Sequence, residues 1–460
     1  VDSSFALIER TKTSHYDVVI LGGGPAGAAT ALMLRQHAPQ LTVALVERSH
    51  YEGLRIGETL PPTVQPLLEQ LGVWDAFLAD GHLAAYGSCS AWGSDRLEEN
   101  EFIYNPIGRG WHLDRRRFDA LLARSAEAAG VTVRYGAKFT GSARTDTGQW
   151  KLKLRTESGE DLAWTASMVA DATGRRAHFA GAQGVKQVRM DQLVGTAVFF
   201  SLPDDRPRPD TYTLVEAVPD GWWYSALVPE GKIAVVYMTD ADLLRTQRVN
   251  TPGAWFERLA ATRHTQARVA GASQQGTLTV QVAYSHRLEQ MSGEGWLAVG
   301  DAAMTYDPLS SLGIFKGLRS GIMAAYAIGD QLTGIDGFTK YNTIMAAEFE
   351  GYLETRMDFY RQEQRWPDSP FWRRRFDHIT LEPEQILAYE PAGGSTVRER
   401  VHMQLPTNQL NDLCDLCSSP RSAHEVVAQF TQRHARVPHR RVLLALQWLI
   451  RENVIRPTQG

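Results

Sequence analysis

Three glycines spaced as Gly22-x-Gly24-x-x-Gly27, with Pro25 and Ala26 between the last two, and an acidic residue, Glu47, twenty positions further on carry the chain's most direct chemical message. A glycine at 22 permits a tight turn, one at 24 lets the backbone approach a pyrophosphate, and one at 27 lets a helix close onto a strand. The N-terminus of such a helix offers free N–H groups to phosphate oxygens. A carboxylate at 47, with Arg48 beside it, is placed to accept hydrogen bonds from a ribose. The pattern predicts a dinucleotide held largely by backbone.

The elements needed to position these residues are legible around them. YDVVIL (16–21) is a β-branched run typical of a buried parallel strand, GGGPAGAATALMLRQHAP opens a helix, and LTVALVER (41–48) is a second strand. Strand, glycine turn, helix and strand make a βαβ unit. RRFDALLARSAEAAG (116–130) predicts a helix, VTVRYGAKF and WKLKLRT predict strands, and MVADATG (168–174) predicts a short strand ending in a turn. Residues 190–290 are strand-rich, which reads as an antiparallel sheet roofing a substrate cavity. GWLAVGDAA (295–303) returns to the buried-strand type, and helix-like sequence runs from about 313 to 375.

Three further segments resemble the fingerprints of single-component flavin hydroxylases. Arg115 precedes Arg116-Arg117-Phe118-Asp119; Val169-Ala170-Asp171-Ala172-Thr173-Gly174 matches the family's DATG turn; Gly300-Asp301-Ala302-Ala303 is followed by Asp307-Pro308-Leu309-Ser310-Ser311-Leu312-Gly313-Ile314. The resemblance implies FAD as the cofactor, with Arg115 near its phosphates, Asp301 on the ribityl hydroxyls, Asp171 in a structural-plus-cofactor turn, and Gly300, Gly313 and Ile314 against the flavin. It also implies an α/β architecture: a Rossmann-type FAD-binding domain with an antiparallel substrate sheet, its strands mainly in 85–115 and 190–290.

Gly57-Glu58-Thr59-Leu60-Pro61-Pro62 resembles the GE-x-T-x-P stretch of flavin-dependent halogenases and their non-halogenating relatives, which implies that Gly57, Glu58 and Thr59 lie near the isoalloxazine. Two departures follow. The Gly87–Trp92 stretch, where a halogenase carries its lysine, has none, and the GWxWxIP signature is replaced by Gly221-Trp222-Trp223-Tyr224-Ser225-Ala226-Leu227-Val228-Pro229. The expectation is therefore aromatic hydroxylation through flavin C4a and O2, with electrons from NAD(P)H or a flavin reductase. Halogenation, a small-molecule phenol or indole hydroxylase, and a non-catalytic flavin scaffold stand as alternatives. No acid–base side chain is assigned; Trp222, Trp223, Tyr224 and Pro308 are candidates for the substrate cavity, the aromatics equally readable as strand packing.

The net charge of −4 gives no reason to expect nucleic acid or an anionic membrane as partner. No 18-residue apolar run and no signal-peptide pattern at the N-terminus are present, so a soluble, cytoplasmic protein is expected. Three cysteines make no disulfide framework, and Cys414-x-x-Cys417 lacks further ligands, so no metal is expected. A composition shift near YEPAGGSTVRER divides a core, 1–390, from a small module, 391–460, with helices near 409–417, 423–434 and 440–452 and a strand at Val454-Ile455. This order resembles a winged-helix module that docks a partner. Together with Phe359–Pro367 it resembles the maturation flavoproteins of tryptophylquinone enzymes, which implies that the substrate is a tryptophan side chain of a partner protein or peptide.

Overall fold

The computed structural model describes residues 14–53, 55–203, 210–376, 381–390 and 404–458. The linker expected around 390–400, and most of the N-terminal stretch read for a targeting signal, lie outside the described residues.

The first strand, Ser14–Leu21, lies at the centre of an eight-stranded sheet. It pairs in parallel with Val43–Val46 on one side and Asp161–Asp171 on the other. Thr132–Arg134 and Trp296–Ala298 extend the parallel order outward. Val18, Val19, Ile20 and Leu21 are fully enclosed, as a strand covered on both faces requires. The helix Pro25–His37 starts with proline in its first turn and has arginine and histidine in its last, in accord with its dipole. It packs on the long helix Gly313–Leu332, whose inner face carries Ile314, Leu318, Ile322 and Ala325. The helical sequence after 313 divides into Gly313–Leu332, Gly337–Arg361 and Pro370–Phe376.

The second sheet has seven strands in the order Ser273–Val282, Leu193–Ser201, Lys232–Asp240, Gly221–Val228, Thr213–Val218, Gly87–Ala91 and Glu98–Glu101. It departs from the all-antiparallel expectation at one place: Thr213–Glu216 runs parallel to Ser88–Ala91. These two strands are joined by the whole intervening βα excursion rather than a hairpin, so nothing forces them antiparallel.

Three helices, Thr407–Leu416, Ala423–Arg433 and His439–Arg451, form the C-terminal module over their own core of Leu410, Leu413, Val426, Phe430, Leu446 and Leu449. Ser422 and Glu425 close a capping box at the start of the second. The module's sheet pairs Ile386–Tyr389 with both Ile455–Thr458 and Arg421–Ser422. A boundary at 391 therefore falls one strand late: a four-residue strand beside a proline–glycine segment is too short to be read by periodicity. The module touches the core through Arg441, 2.6 Å from Glu350, and through Gln404 N–H donating to the Arg189 carbonyl at 3.0 Å. Among the described residues no helix is long and apolar enough to cross a membrane.

Candidate functional site

The turn after the first strand is built around close backbone approach. Gly22 has φ +112°, and a Cβ there would stand 2.2 Å from the Ala172 carbonyl oxygen. A Cβ on Gly27 would stand 1.9 Å from the oxygen of Gly22, so helix and turn touch directly. Gly24 faces open space, with no atom within 4 Å of where its Cβ would be. That gap in front of a helix N-terminus suits a diphosphate. Glu47 is held rigidly below it: Oε2 accepts from Gly23 N–H at 2.8 Å, and Oε1 from the Ser49 hydroxyl at 2.6 Å.

This cradle opens into a cavity of about 940 Å³ that reaches the second sheet. Its lining includes Gly22, Gly24, Pro25, Ala26, Glu47 and Arg48 of the cradle, Arg115, Asp301, Gly313 and Ile314, and Gly57, Glu58, Thr59, Pro308 and, from the second sheet, Tyr224. A long, continuous cavity with a backbone cradle at one end fits an extended dinucleotide such as FAD. Lys138 also lines it, beside the Glu47 end, through the 137–139 segment that hydrogen-bonds to Glu47.

Several expected site residues take other positions. Asp171 is fully buried and lies off the cavity wall; it accepts from Thr173 N–H at 3.0 Å, the Thr173 hydroxyl at 2.6 Å and Ala180 N–H at 2.8 Å. It ties the turn together, while Ala172, Thr173 and Gly174 form the wall. Gly27 serves the close packing expected of it, and Gly300, expected against the flavin, serves packing as well, since a Cβ there would stand 2.5 Å from that of Ala26.

Trp222 and Trp223 do not line the cavity either. They alternate across strand Gly221–Val228: Trp223 packs on Tyr237 and Trp255, with ring centroids 4.9 and 5.1 Å away, and Trp222 Nε1 donates to the Tyr360 hydroxyl at 3.0 Å. Only Tyr224 of the three reaches the cavity, because Tyr360, Phe371 and Trp372 cover the Trp222 end of the same face.

Arg115 spends its donors on Asp119 and on the carbonyls of Ile56 and Gly57, at 3.0 and 3.1 Å. It clamps the Gly57–Thr59 segment against the cavity. Burial would raise the Asp301 carboxyl, but Lys316 at 2.6 Å and Arg175 at 3.7 Å prevail and hold it down to about 2. Glu58 is pushed the other way: burial lifts its carboxyl to about 7, against the smaller pull of backbone hydrogen bonds and Arg115.

Sequence reading passes over Lys316, Arg175 and the network behind Asp307. Arg356 bridges Asp191 at 2.9 Å and Asp307 at 3.1 Å, and the Tyr360 hydroxyl donates to Asp307 at 2.8 Å. The available signal is a lone lysine on the apolar face of helix Gly313–Leu332; the Arg356 network joins positions too far apart in sequence to announce itself. Among the described residues no group of three or more His, Cys, Asp or Glu could hold a metal ion.

The family described as tryptophan halogenase matches residues 17–87 and 82–431. The putative FAD-dependent oxidoreductase LodB of Marinomonas mediterranea is 31% identical over 370 residues, covering 80% of this chain and 98% of that protein. The tryptophan 2-halogenase of Chondromyces crocatus is 26% identical over 341 residues, 70% of this chain and 62% of its own length. Among solved structures, the myxobacterial chondrochloren halogenase CndH superposes with a TM-score of 0.73 at 24% identity, covering 84% of this chain and 90% of that one. These findings overturn the expectation of a hydroxylase serving tryptophylquinone biogenesis: the family match covers most of the chain and is halogenase by description, and the absent lysine at 87–92 did not warrant setting that branch aside. The fold is an α/β FAD-binding fold related to the flavin halogenases and hydroxylases. The chain belongs to the tryptophan halogenase family and is an FAD-dependent oxidoreductase.

Proposed function

We propose that the protein is a flavin-dependent halogenase that uses O2 and halide to halogenate an electron-rich aromatic ring of the indole or pyrrole type. The observation that carries this reading is the continuity of the cavity: one space is lined by the glycine cradle, by Asp301 and Glu58, and by Tyr224 and Pro308. Relatives named as a tryptophan 2-halogenase and as a pyrrole-2-carbonyl carrier-protein brominase from Pseudoalteromonas luteoviolacea, 25% identical over 334 residues, support the ring class.

When bound, reduced FAD supplies the electrons that activate O2. The chain's own residues do the remaining work. Gly24 and the helix behind it receive the diphosphate, Glu47 the adenosine ribose, and Asp301, kept ionised by Lys316, accepts hydrogen bonds from the ribityl hydroxyls. Arg115 fixes the Gly57–Thr59 wall, and the apolar side chains of Val236, Met238 and Ile314 keep water from the reacting end. No lysine stands in Gly87–Trp92, and Lys138 lies beside Glu47; of the two buried acids lining the cavity near Tyr224 and Pro308, Asp307 is paired with Arg356 and Tyr360, which leaves Glu58, beside Tyr224, as the one without an ion-pair partner among the described residues. Reducing equivalents come from NAD(P)H through a flavin reductase.

The test is turnover of the FAD-loaded protein with a reductase, NADH, O2, bromide and a panel of indoles and pyrroles, followed by mass spectrometry. A product with the paired isotope signature of bromine supports the reading. A product that gains oxygen and no halogen, or flavin reoxidation with no ring product across the panel, overturns it.

A further inference from the structure

The wall between the main cavity and a small neighbouring one of about 20 Å³ is formed in part by Glu58, whose exposure is 1%. The charged residues lining the small cavity with it are Arg55, Asp114, Arg115, Arg116, Glu230 and Lys232. Each has a partner of opposite sign: Arg55 and Arg115 share Asp119, Arg116 holds Asp114 at 2.6 Å, and Lys232 holds Glu230 at 2.6 Å. Glu58 differs. Its Oε2 takes a hydrogen bond from Tyr224 at 3.3 Å, and its Oε1 has no hydrogen-bond partner among the described residues. A buried carboxyl oxygen left without a partner on a cavity wall is costly unless something in the cavity uses it.

Behind Glu58 runs a chain of hydroxyls. The Tyr224 hydroxyl lies 2.9 Å from Thr59 Oγ1, which lies 3.0 Å from Thr213 Oγ1, which in turn lies 3.0 Å from His112 Nε2. Each hydroxyl can donate one bond and accept another, so the chain holds Tyr224 in place to donate to Glu58 when Glu58 is ionised. His112 is fully buried, and burial pushes its imidazole down to about 4, so it stays neutral. No formal charge sits on the chain at neutral pH.

We propose that Glu58 is the acid that delivers a proton to the reacting group in the cavity, positioned by Tyr224 and the Thr59–Thr213–His112 chain. The inference rests on the halogenase reading and deepens it. Incorporating halide consumes a proton: ring C–H, halide, O2, two-electron-reduced flavin and one proton give ring–halogen, oxidised flavin and two waters. Ring hydroxylation with the same flavin and O2 consumes none. A protonated Glu58 gives its proton to an oxygen in the cavity and becomes a carboxylate, whose charge is met by Arg115 and the Tyr224 hydroxyl. A proton from solvent restores the acid for the next cycle.

The ionisation of Glu58 can be read directly, with or without flavin, from the infrared C=O stretch of its protonated carboxyl across pH. A band that disappears with a midpoint near 7 in the wild type and is missing in Glu58→Gln supports the proposal. Tyr224→Phe removes the donor to the ionised form and moves that midpoint up by about half a unit to one unit. In the FAD-loaded protein, halide incorporation falls above that midpoint. Glu58→Gln with flavin still bound slows it by about 10²-fold and flattens the pH profile, and Glu58→Asp restores part of both. The absence of a titrating band, or an unchanged rate and pH limb in Glu58→Gln, overturns the proposal. A wild type that binds FAD yet incorporates no halide overturns the halogenase reading instead, while the infrared band still decides whether Glu58 is a neutral acid.

Discussion

Lys316 Nζ lies 2.6 Å from Asp301 Oδ1 and 2.5 Å from the carbonyl of Met304, with only 3% of its side chain exposed. The ammonium is thus spent on holding the Asp301 loop to the long helix and on keeping Asp301 ionised. It is not a free amine available for chemistry in the cavity.

A pH dependence of stability follows. The Asp301 carboxyl is held down to about 2 in the folded protein and titrates near 3.9 when unfolded. A depressed carboxyl stabilises the fold above its unfolded value, and that contribution is lost as pH falls toward the folded value. With 37% of the Asp301 side chain exposed, solvent screening reduces the effect to about 1 kcal/mol. Lys316→Met should be less stable than wild type at neutral pH and should lose less between about pH 4 and pH 2. Urea midpoints across that window check this; parallel losses in both proteins would show that the pair does not set the slope.

The glycine turn separates binding from folding. Gly24→Ala adds a methyl group where no protein atom lies within 4 Å, at a φ of −71° that alanine adopts freely. Its unfolding temperature should match wild type, while FAD binding weakens about tenfold or more, since the methyl stands where the diphosphate approaches. Gly27→Ala puts a methyl 1.9 Å from a backbone oxygen and should cost about 1–3 kcal/mol through overpacking. Calorimetry and flavin fluorescence on both variants distinguish the two roles. Equal loss of flavin and stability in Gly24→Ala would mean that the turn does not face a ligand.

How much the sequence discloses depends on how local each feature is. The βαβ unit, the Gly22–Gly27 turn and Glu47 belong to one contiguous stretch, and periodicity with glycine spacing is enough to recover them. Tyr224 and its tryptophan neighbours show the limit. Alternation on a strand says that Trp222 and Tyr224 share a face, but only the packing of Tyr360, Phe371 and Trp372, well over a hundred residues later, decides which of them meets the cavity. The strand Ile386–Tyr389 and the parallel pairing of Thr213–Glu216 escape for the same reason: both are defined by partners distant in the chain. The missing lysine at 87–92 misled in a different way. There and in the altered Gly221–Pro229 signature, local departures weighed against a family likeness that spans most of the chain.

The Arg356 bridge should be one of the most sensitive points behind the site. Its guanidinium and Asp191 are about nine-tenths enclosed, and Asp307 is 1% exposed, so Arg356→Met leaves two carboxylates without their counter-charge in a buried place. A loss of about 3–5 kcal/mol in chemical denaturation is expected. Tyr360→Phe removes only the hydroxyl shared by Asp307 and Trp222 and should cost about 1–3 kcal/mol. Similar small losses in both would show that water, not Arg356, satisfies the carboxylates.

Trp223 supplies the complementary case, a large aromatic next to the site that takes no part in it. It is 1% exposed and wedged between Tyr237 and Trp255, on the face of the strand opposite Tyr224. Trp223→Ala should lower stability by about 3–5 kcal/mol through the cavity it leaves. The milder Trp223→Phe should keep the fold and leave KM for the ring substrate within about twofold, because an interaction absent from the bound complex cannot change it. A tenfold rise in KM for Trp223→Phe, with flavin content unchanged, would put Trp223 in the ring-binding wall and would require the strand to turn over relative to its neighbours. The hydrogen-bonded register Trp223 to Tyr237 and Glu216 forbids that turn, since a one-residue slip would carry every side chain of the strand to the other face.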